Sequence, residues 1–225
     1  MNNQFQSSAR DLEDIHVWLL DDAPVTRQEF ERYLKWISPA DRVMDIGSGA
    51  GRFLEVLRSQ NIPAFGVDLN EALAARAHTK GSQVLIKDVL EALEEDAQGV
   101  TVFSMIDFVE HVPLPVLLEI LEKISKIKGA KIFLQTPNLE SVIGMKFYFH
   151  LPSHVTPLHP FFLKRVLAHY GFEIVDEWTS FGELPWTGLR KWLVMKILNG
   201  LFGPPVAKMF FQGANVSMIA TSRGK

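Results

Sequence analysis

Val43-Met44-Asp45-Ile46-Gly47-Ser48-Gly49-Ala50-Gly51 decides the fold: a short apolar strand runs straight into a glycine turn. Directly after it, residues 52–59 carry Phe53, Leu54 and Leu57 at helical spacing. A strand that turns on glycines into a helix opens a strand–helix unit, and the same alternation recurs along the chain. Residues 64–67, 83–86, 100–108 and 131–135 read as further strands, with helices predicted over 71–78 and 114–127. Beyond them a helix over 161–169 stops at Gly171, and strands follow at 173–178 and 216–221. Seven strands alternating with helices in this way predict an α/β fold, a doubly wound and mostly parallel sheet with helices on both faces.

The flanks differ from this core. Residues 1–40 read as a polar helical cap, in which Phe30, Tyr33, Leu34 and Ile37 recur at helical spacing after Pro24. Pro137, Pro152, Pro157 and Pro160 make residues 137–160 read as a long loop, of the kind that carries function. A helical insertion is expected over 183–212, ahead of the last strand. The division expected is a single domain over 1–225, with a cofactor-binding core at 41–136 and an acceptor-side half at 137–225.

Composition narrows the chemistry. The 225 residues hold no cysteine, which excludes disulfides, thiolate metal sites and thiol nucleophiles. With 23 basic against 26 acidic side chains the net charge is -3, unlike the concentrated positive charge of a nucleic-acid binder. The polar start, Met1-Asn2-Asn3-Gln4-Phe5, lacks the pattern of a secretory signal, so a cytoplasmic location is expected.

Glycines at a strand-to-helix turn let the backbone approach a ligand, and the free N–H groups of a helix start attract polar or negative groups. The dinucleotide fingerprint would place its third glycine at position 52, where this chain has Arg52. The spacing is instead G-x-G-x-G, with Asp45 two residues ahead. Asp68, at the end of the second strand, is placed to accept hydrogen bonds from a ribose diol. Asp88 follows the third strand, where it reads either as a contact to an adenine amino group or as a helix N-cap.

Taken together, residues 45–51, Asp68, Asp88 and Glu110-His111 after the fourth strand resemble the class I S-adenosylmethionine-dependent methyltransferases. The resemblance covers nearly the whole chain and implies a Rossmann-like seven-stranded sheet with an antiparallel last strand. It also implies S-adenosylmethionine as cofactor. By that resemblance Asp45, Gly47, Ser48, Gly49 and Gly51 lie along the methionine part, Asp68 and Leu69 at the ribose, and Asp88 and Val89 beside the adenine. Ile106 and Asp107 flank the methionine end. Residues 49–70, Thr136-Pro137-Asn138, residues 154–160 and residues 198–203 are also similar to bacterial methyltransferases of surface-polysaccharide and lipopolysaccharide assembly. Those relatives commonly carry Asp-Pro-Thr-His where this chain has Leu151-Pro152-Ser153-His154, and Glu in place of Arg52. The acceptor implied is a sugar hydroxyl of a glycan or lipid-linked glycan precursor. The alternatives are a quinone-like or phenolic small molecule and a catalytically silent cofactor-binding module.

An alcohol acceptor needs a base as its proton leaves, and with no thiol present histidine is the natural candidate. His154, in the proline-rich loop, is the first choice, against a role holding that loop through a backbone hydrogen bond. His111 and Asp107 complete the catalytic set, and His159 is expected to be structural. No metal is expected, because the prolines among His150, His154 and His159 prevent one helical face from presenting all three. Phe147, Tyr148 and Phe149 read as a wall over the site or as buried packing. Residues 189–202 are apolar on almost every side, which suggests a lid, a core helix or peripheral contact with the inner face of the plasma membrane.

Overall fold

A computed structural model describes residues 27–180, 188–204, 209–210 and 212–224. The chain runs α1 (Arg27–Leu34), β1 (Val43–Ile46), α2 (Arg52–Ser59), β2 (Ala64–Asp68), α3 (Glu71–Thr79), β3 (Val84–Ile86) and α4 (Val89–Glu95). It continues through β4 (Val102–Ile106), α5 (Leu114–Ser125), β5 (Lys131–Pro137), α6 (Val142–His150), α7 (Pro160–His169), β6 (Phe172–Ser180), α8 (Gly188–Phe202) and β7 (Asn215–Ser222). A single turn of 3-10 helix, Val109–His111, follows β4. The first part of the expected N-terminal cap, residues 1–26, lies outside the described residues.

The seven strands form one sheet in the order β3-β2-β1-β4-β5-β7-β6. β1 pairs in parallel with β2 on one side and β4 on the other, and β7 lies antiparallel between β5 and β6. The chain therefore reverses its direction of winding between β1 and β4. Such a switch point leaves a crevice beyond the carboxyl ends of the two strands, because their connections leave on opposite faces.

Alternation along each central strand feeds two cores. Met44, Ile46, Phe103, Met105, Ile132 and Leu134 face one side, where α4, α5 and α7 cover them with Ala92, Leu117, Leu121 and Leu167. Val43, Val102, Phe133 and Ile219 face the other, under Phe30 and Tyr33 of α1, Phe53 and Leu57 of α2, and Ala77 of α3. Burial on both faces is why these strands read as apolar runs rather than as alternating patterns.

Tyr33 ties the N-terminal segment to the sheet. Its ring packs against Phe53, Phe133 and Trp178, and its hydroxyl donates to Gln135 Oε1 at 3.2 Å. Asp41, just before β1, accepts from the Ser38 N–H at 2.7 Å, Thr101 Oγ1 at 2.7 Å and Lys131 Nζ at 2.8 Å. It joins the entry of β1 to those of β4 and β5.

Two elements differ from the sequence reading. Residues 137–160 are not loop throughout: α6 occupies Val142–His150, between Pro137 and Pro152. Ser141 caps it by accepting from the Gly144 N–H at 3.3 Å, and a Cβ on Gly144 would run into the Asn138 and Ala214 carbonyls. The prolines bound the helix without entering it. α4 is legible in the sequence only through the reading of Asp88 as a helix N-cap, which is the role its side chain takes here.

Burial alone would raise the Asp41 carboxyl, but its three donors outweigh that and hold it down at about 2. The ordinary carboxylate value is about 3.9. Its stabilising contribution is therefore complete above about pH 4 and lost as pH falls from there towards 2. Asp41→Asn should cost about 1–3 kcal/mol at neutral pH. Denaturant titration at pH 7 and pH 2.5 should show the difference from the natural protein shrinking at the lower pH.

Candidate functional site

At the crevice between β1 and β4 lies a cavity of about 560 Å³. One wall is the glycine turn, with Gly47 and Gly49, and β2's exit, Asp68-Leu69-Asn70. Lys87, Asp88 and Val89 form the far end, and Asp107, Phe108, His111, Val112, Pro113, Val116 and Ser153 form the opposite side. The size is within the range of small-molecule sites.

The turn has this shape because Gly47, Gly49 and Gly51 all adopt positive φ, at 70°, 51° and 74°. Only glycine enters that region without steric cost. A Cβ on Gly47 would also overlap the Phe108 ring. The turn is clamped from β2: Asp68 Oδ2 accepts the Gly49 N–H at 2.7 Å, and Asp68 Oδ1 accepts the Asn70 N–H at 2.8 Å. A carboxylate has about four acceptor directions. Asp68 thus retains acceptor capacity towards the cavity while holding the loop.

Several residues expected at the cofactor are turned elsewhere. Asp45 stands opposite Ser104 in the β1–β4 register and accepts its hydroxyl at 2.6 Å, beneath the loop. Burial pushes its carboxyl up to about 7, with the Ser104 bond opposing. Ser48 packs against Gly66, and Gly51 lies against α3, where a Cβ would come within 2.9 Å of Ala77 Cβ. This third glycine serves helix packing, which is the role position 52 has in the dinucleotide pattern. Ile106 packs in the core under α1 and α2. Asp88 lines the cavity and also caps α4, its Oδ1 accepting the Leu90 N–H at 2.8 Å.

On the opposite wall Asp107 has φ 54°, a strained conformation for a residue with a side chain. Both of its carboxylate oxygens accept from Gln135 Nε2 at 3.1 Å, and burial pushes the group up to about 6 against that bond. Glu110 is 1% exposed, and burial, followed by the nearby Asp107 charge, drives its carboxyl well above the usual carboxylate range.

His154 does not line the cavity wall. Its Nδ1 donates to the Tyr148 carbonyl at 2.7 Å, its ring tilts against that of Tyr148, and Nε2 faces Glu110 Oε1 at 4.0 Å. The backbone bond foreseen as its structural role is present, and of the catalytic candidates His111 and Asp107 are the two that reach the cavity. His159 caps α7, its Nδ1 accepting the Phe161 N–H at 3.2 Å, and His150 is exposed. Tyr148 is buried whereas Phe149 is 80% exposed, so the aromatic trio is not one wall. Phe108, Asn70, Lys87, Val112, Pro113, Val116 and Ser153 were not foreseen. Their only signal in the sequence is that most of them adjoin a predicted site residue.

Residues 21–177 match a family model described as a methyltransferase domain. A ubiquinone biosynthesis O-methyltransferase of Coxiella burnetii is 29% identical over 151 residues, which are 60% of this chain and 64% of that protein. The namesake from Acinetobacter baylyi is 24% identical over 192 residues, 79% of this chain and 73% of that one. The match thus spans less than two thirds of the length of the first of these curated relatives. Among solved structures, a SAM-dependent methyltransferase from Archaeoglobus fulgidus is 26% identical with a TM-score of 0.72, covering 87% of this chain and 92% of the other.

Removing the Asp68 carboxylate frees the glycine turn and deletes an acceptor. Asp68→Ala should therefore weaken S-adenosylmethionine binding by about 2 kcal/mol, close to thirtyfold, in calorimetry. Unchanged affinity would show that the crevice is not the cofactor site.

Proposed function

The chain belongs to the methyltransferase domain family and uses S-adenosylmethionine, and on that premise we propose that it methylates a hydroxyl of a phenolic, quinone-like acceptor. The observation that carries this reading is the character of the wall opposite the glycine turn. Phe108, Val112, Pro113 and Val116 are apolar, and only Asp107 and His111 bring titratable groups among them. Beyond Pro113 an apolar groove of about 570 Å³ continues between Leu114, Val155, Pro157 and Phe162. A sugar wants many hydrogen-bonding partners, whereas a planar ring with an apolar substituent suits such walls. The two relatives named for ubiquinone biosynthesis support the same choice over a glycan.

The residues fit the cofactor. The positive-φ turn gives a backbone cradle, Asp68 keeps acceptor capacity, and Asp88 and Val89 close the far end. Bound there, S-adenosylmethionine supplies a methyl carbon activated by a sulfonium. The protein's work is then positional: to hold the acceptor oxygen in line and to take its proton as the new bond forms. We assign the proton to Asp107, whose carboxylate Gln135 holds at the cavity wall. Phe108, lodged against Gly47, would wall the cavity beside the glycine turn and limit the access of water there.

α8 has a separate place in this reading. It is not a core helix: Trp192, Leu193, Ile197, Leu201 and Phe202 are all exposed, and none of them lines the cavity. Lys196 lies over the Trp192 ring at 4.4 Å. Among the described residues no helix is long and apolar enough to cross a membrane. An apolar helix that itself carries Arg190, Lys191 and Lys196 suits contact with an anionic bilayer surface, where an apolar acceptor would partition.

Methyl transfer from labelled S-adenosylmethionine to an alkyl-substituted catechol, compared with a nucleotide sugar, tests the acceptor class. Turnover on the catechol is expected, and turnover on the sugar alone would return the acceptor to a glycan. Asp107→Asn should lower kcat by about 10²–10⁴ with cofactor affinity retained; an unaffected kcat would remove Asp107 from proton transfer. Trp192→Ser with Phe202→Ser should reduce sedimentation with anionic liposomes several-fold, and equal sedimentation would retire the membrane contact.

A further inference from the structure

Glu110 and His111 sit side by side on the 3-10 turn after β4, and His154 arrives from a distant part of the chain. One ligand-capable atom from each lies within 4.8 Å of the other two. The rings of His111 and His154 meet edge to face with centroids 4.6 Å apart, and His154 Nε2 is 4.0 Å from Glu110 Oε1. We propose that Glu110, His111 and His154 form a mononuclear site for a borderline divalent cation, opening onto the acceptor side of the cavity.

Several independent features support a built site. The His154 Nδ1 proton is committed to the Tyr148 carbonyl, so Nε2 carries the lone pair that faces Glu110. An imidazole whose second nitrogen is held by a carbonyl is the usual arrangement of a metal-ligating histidine. The loop bearing His154 is fastened to the turn bearing the other two. The Glu110 carbonyl accepts the Val155 N–H at 2.9 Å and the Thr156 N–H at 3.1 Å, and Thr156 Oγ1 donates to the Val112 carbonyl at 2.6 Å. The Thr136 side chain hydrogen-bonds to the Glu110 carboxyl, yet its Oε2 is buried with no hydrogen-bond partner of good geometry among the described residues. A buried carboxylate oxygen left in that state is costly unless a cation or donor meets it.

Two imidazoles and one carboxylate suit Zn²⁺, Fe²⁺ or Co²⁺ better than Mg²⁺ or Ca²⁺, which prefer all-oxygen shells. Metal–ligand bonds of about 2.1 Å would bring the donor atoms to roughly 3–3.5 Å from one another, a contraction of about an ångström. His111 also lines the cavity, so an open coordination position would face the acceptor. A phenolic oxygen bound there would be held in place and would lose its proton more readily. That use of the cation rests on the methyltransferase reading; the binding itself does not.

The test is a titration of the untagged full chain, stripped with a chelator, with Co²⁺ alone, followed by visible absorption and calorimetry without methyl donor or acceptor. One Co²⁺ per chain is expected. Glu110→Gln, His111→Gln and His154→Gln should each weaken binding at least tenfold, while His150→Ala, at the exposed end of α6, leaves it unchanged. Circular dichroism and melting temperature identify variants that fold, and the near-isosteric Glu110→Gln is the decisive one. Absence of saturable one-to-one binding would overturn the site, as would equal affinity in a folded Glu110→Gln protein. Neither result would bear on catechol methylation, which is assayed separately.

Discussion

The hydrogen bond from the Gly49 N–H to Asp68 Oδ2 is the contact on which the rest of the site depends. It joins the turn after β1 to the end of β2, and so fixes a left-handed backbone path that would otherwise be one of many open to glycine. A charge-assisted bond of this kind is stronger than a neutral one and is directional. With the turn held, Gly47 can lie against Phe108 without a side chain between them, and Gly51 can let α2 approach α3. The cavity is the space left once those approaches are made.

A second set of bonds holds the opposite wall. Gln135, buried on β5, accepts at Oε1 from Tyr33 and Ser217 and donates from Nε2 to Asp107. One amide thereby connects the first described helix, two strands and the acidic group at the cavity. Such a network is favourable only when its members are paired, because a buried polar group that loses its partner costs more than the bond contributed. The strained φ of Asp107 is held by these surroundings, since such a conformation persists only where the neighbouring structure over-determines it. The N-terminal helix is thus more than a cover, since Tyr33 participates in positioning Asp107.

The legible part of the fold was the part set by local periodicity. The seven strands and most helices follow from apolar spacing and glycine punctuation, because both faces of the central strands are buried and the breaks between them are sharp. α6 is hidden by the number of prolines in 137–160, because their positions, at its edges, matter more than their count. At the site, Asp68 and Asp88 could be placed because each ends a strand at the open side of the sheet. Asp45 and Ser48 could not, since the same loop sends neighbouring side chains to opposite sides. Asp45 meets Ser104 through a cross-strand register that no local pattern reveals.

What the sequence determined by itself, then, was the α/β order of elements, the glycine turn and the acids that follow the strands. These depend on interactions between residues close along the chain, where spacing translates directly into geometry. The tertiary structure alone decided which of those side chains face the cavity and that His154 meets Glu110 and His111. It also turned His154 towards the Tyr148 carbonyl and left its other nitrogen beside a buried carboxylate. The physical reason is that this meeting depends on two backbone hydrogen bonds from Val155 and Thr156 to Glu110, made between segments that are distant in sequence and brought together by the sheet.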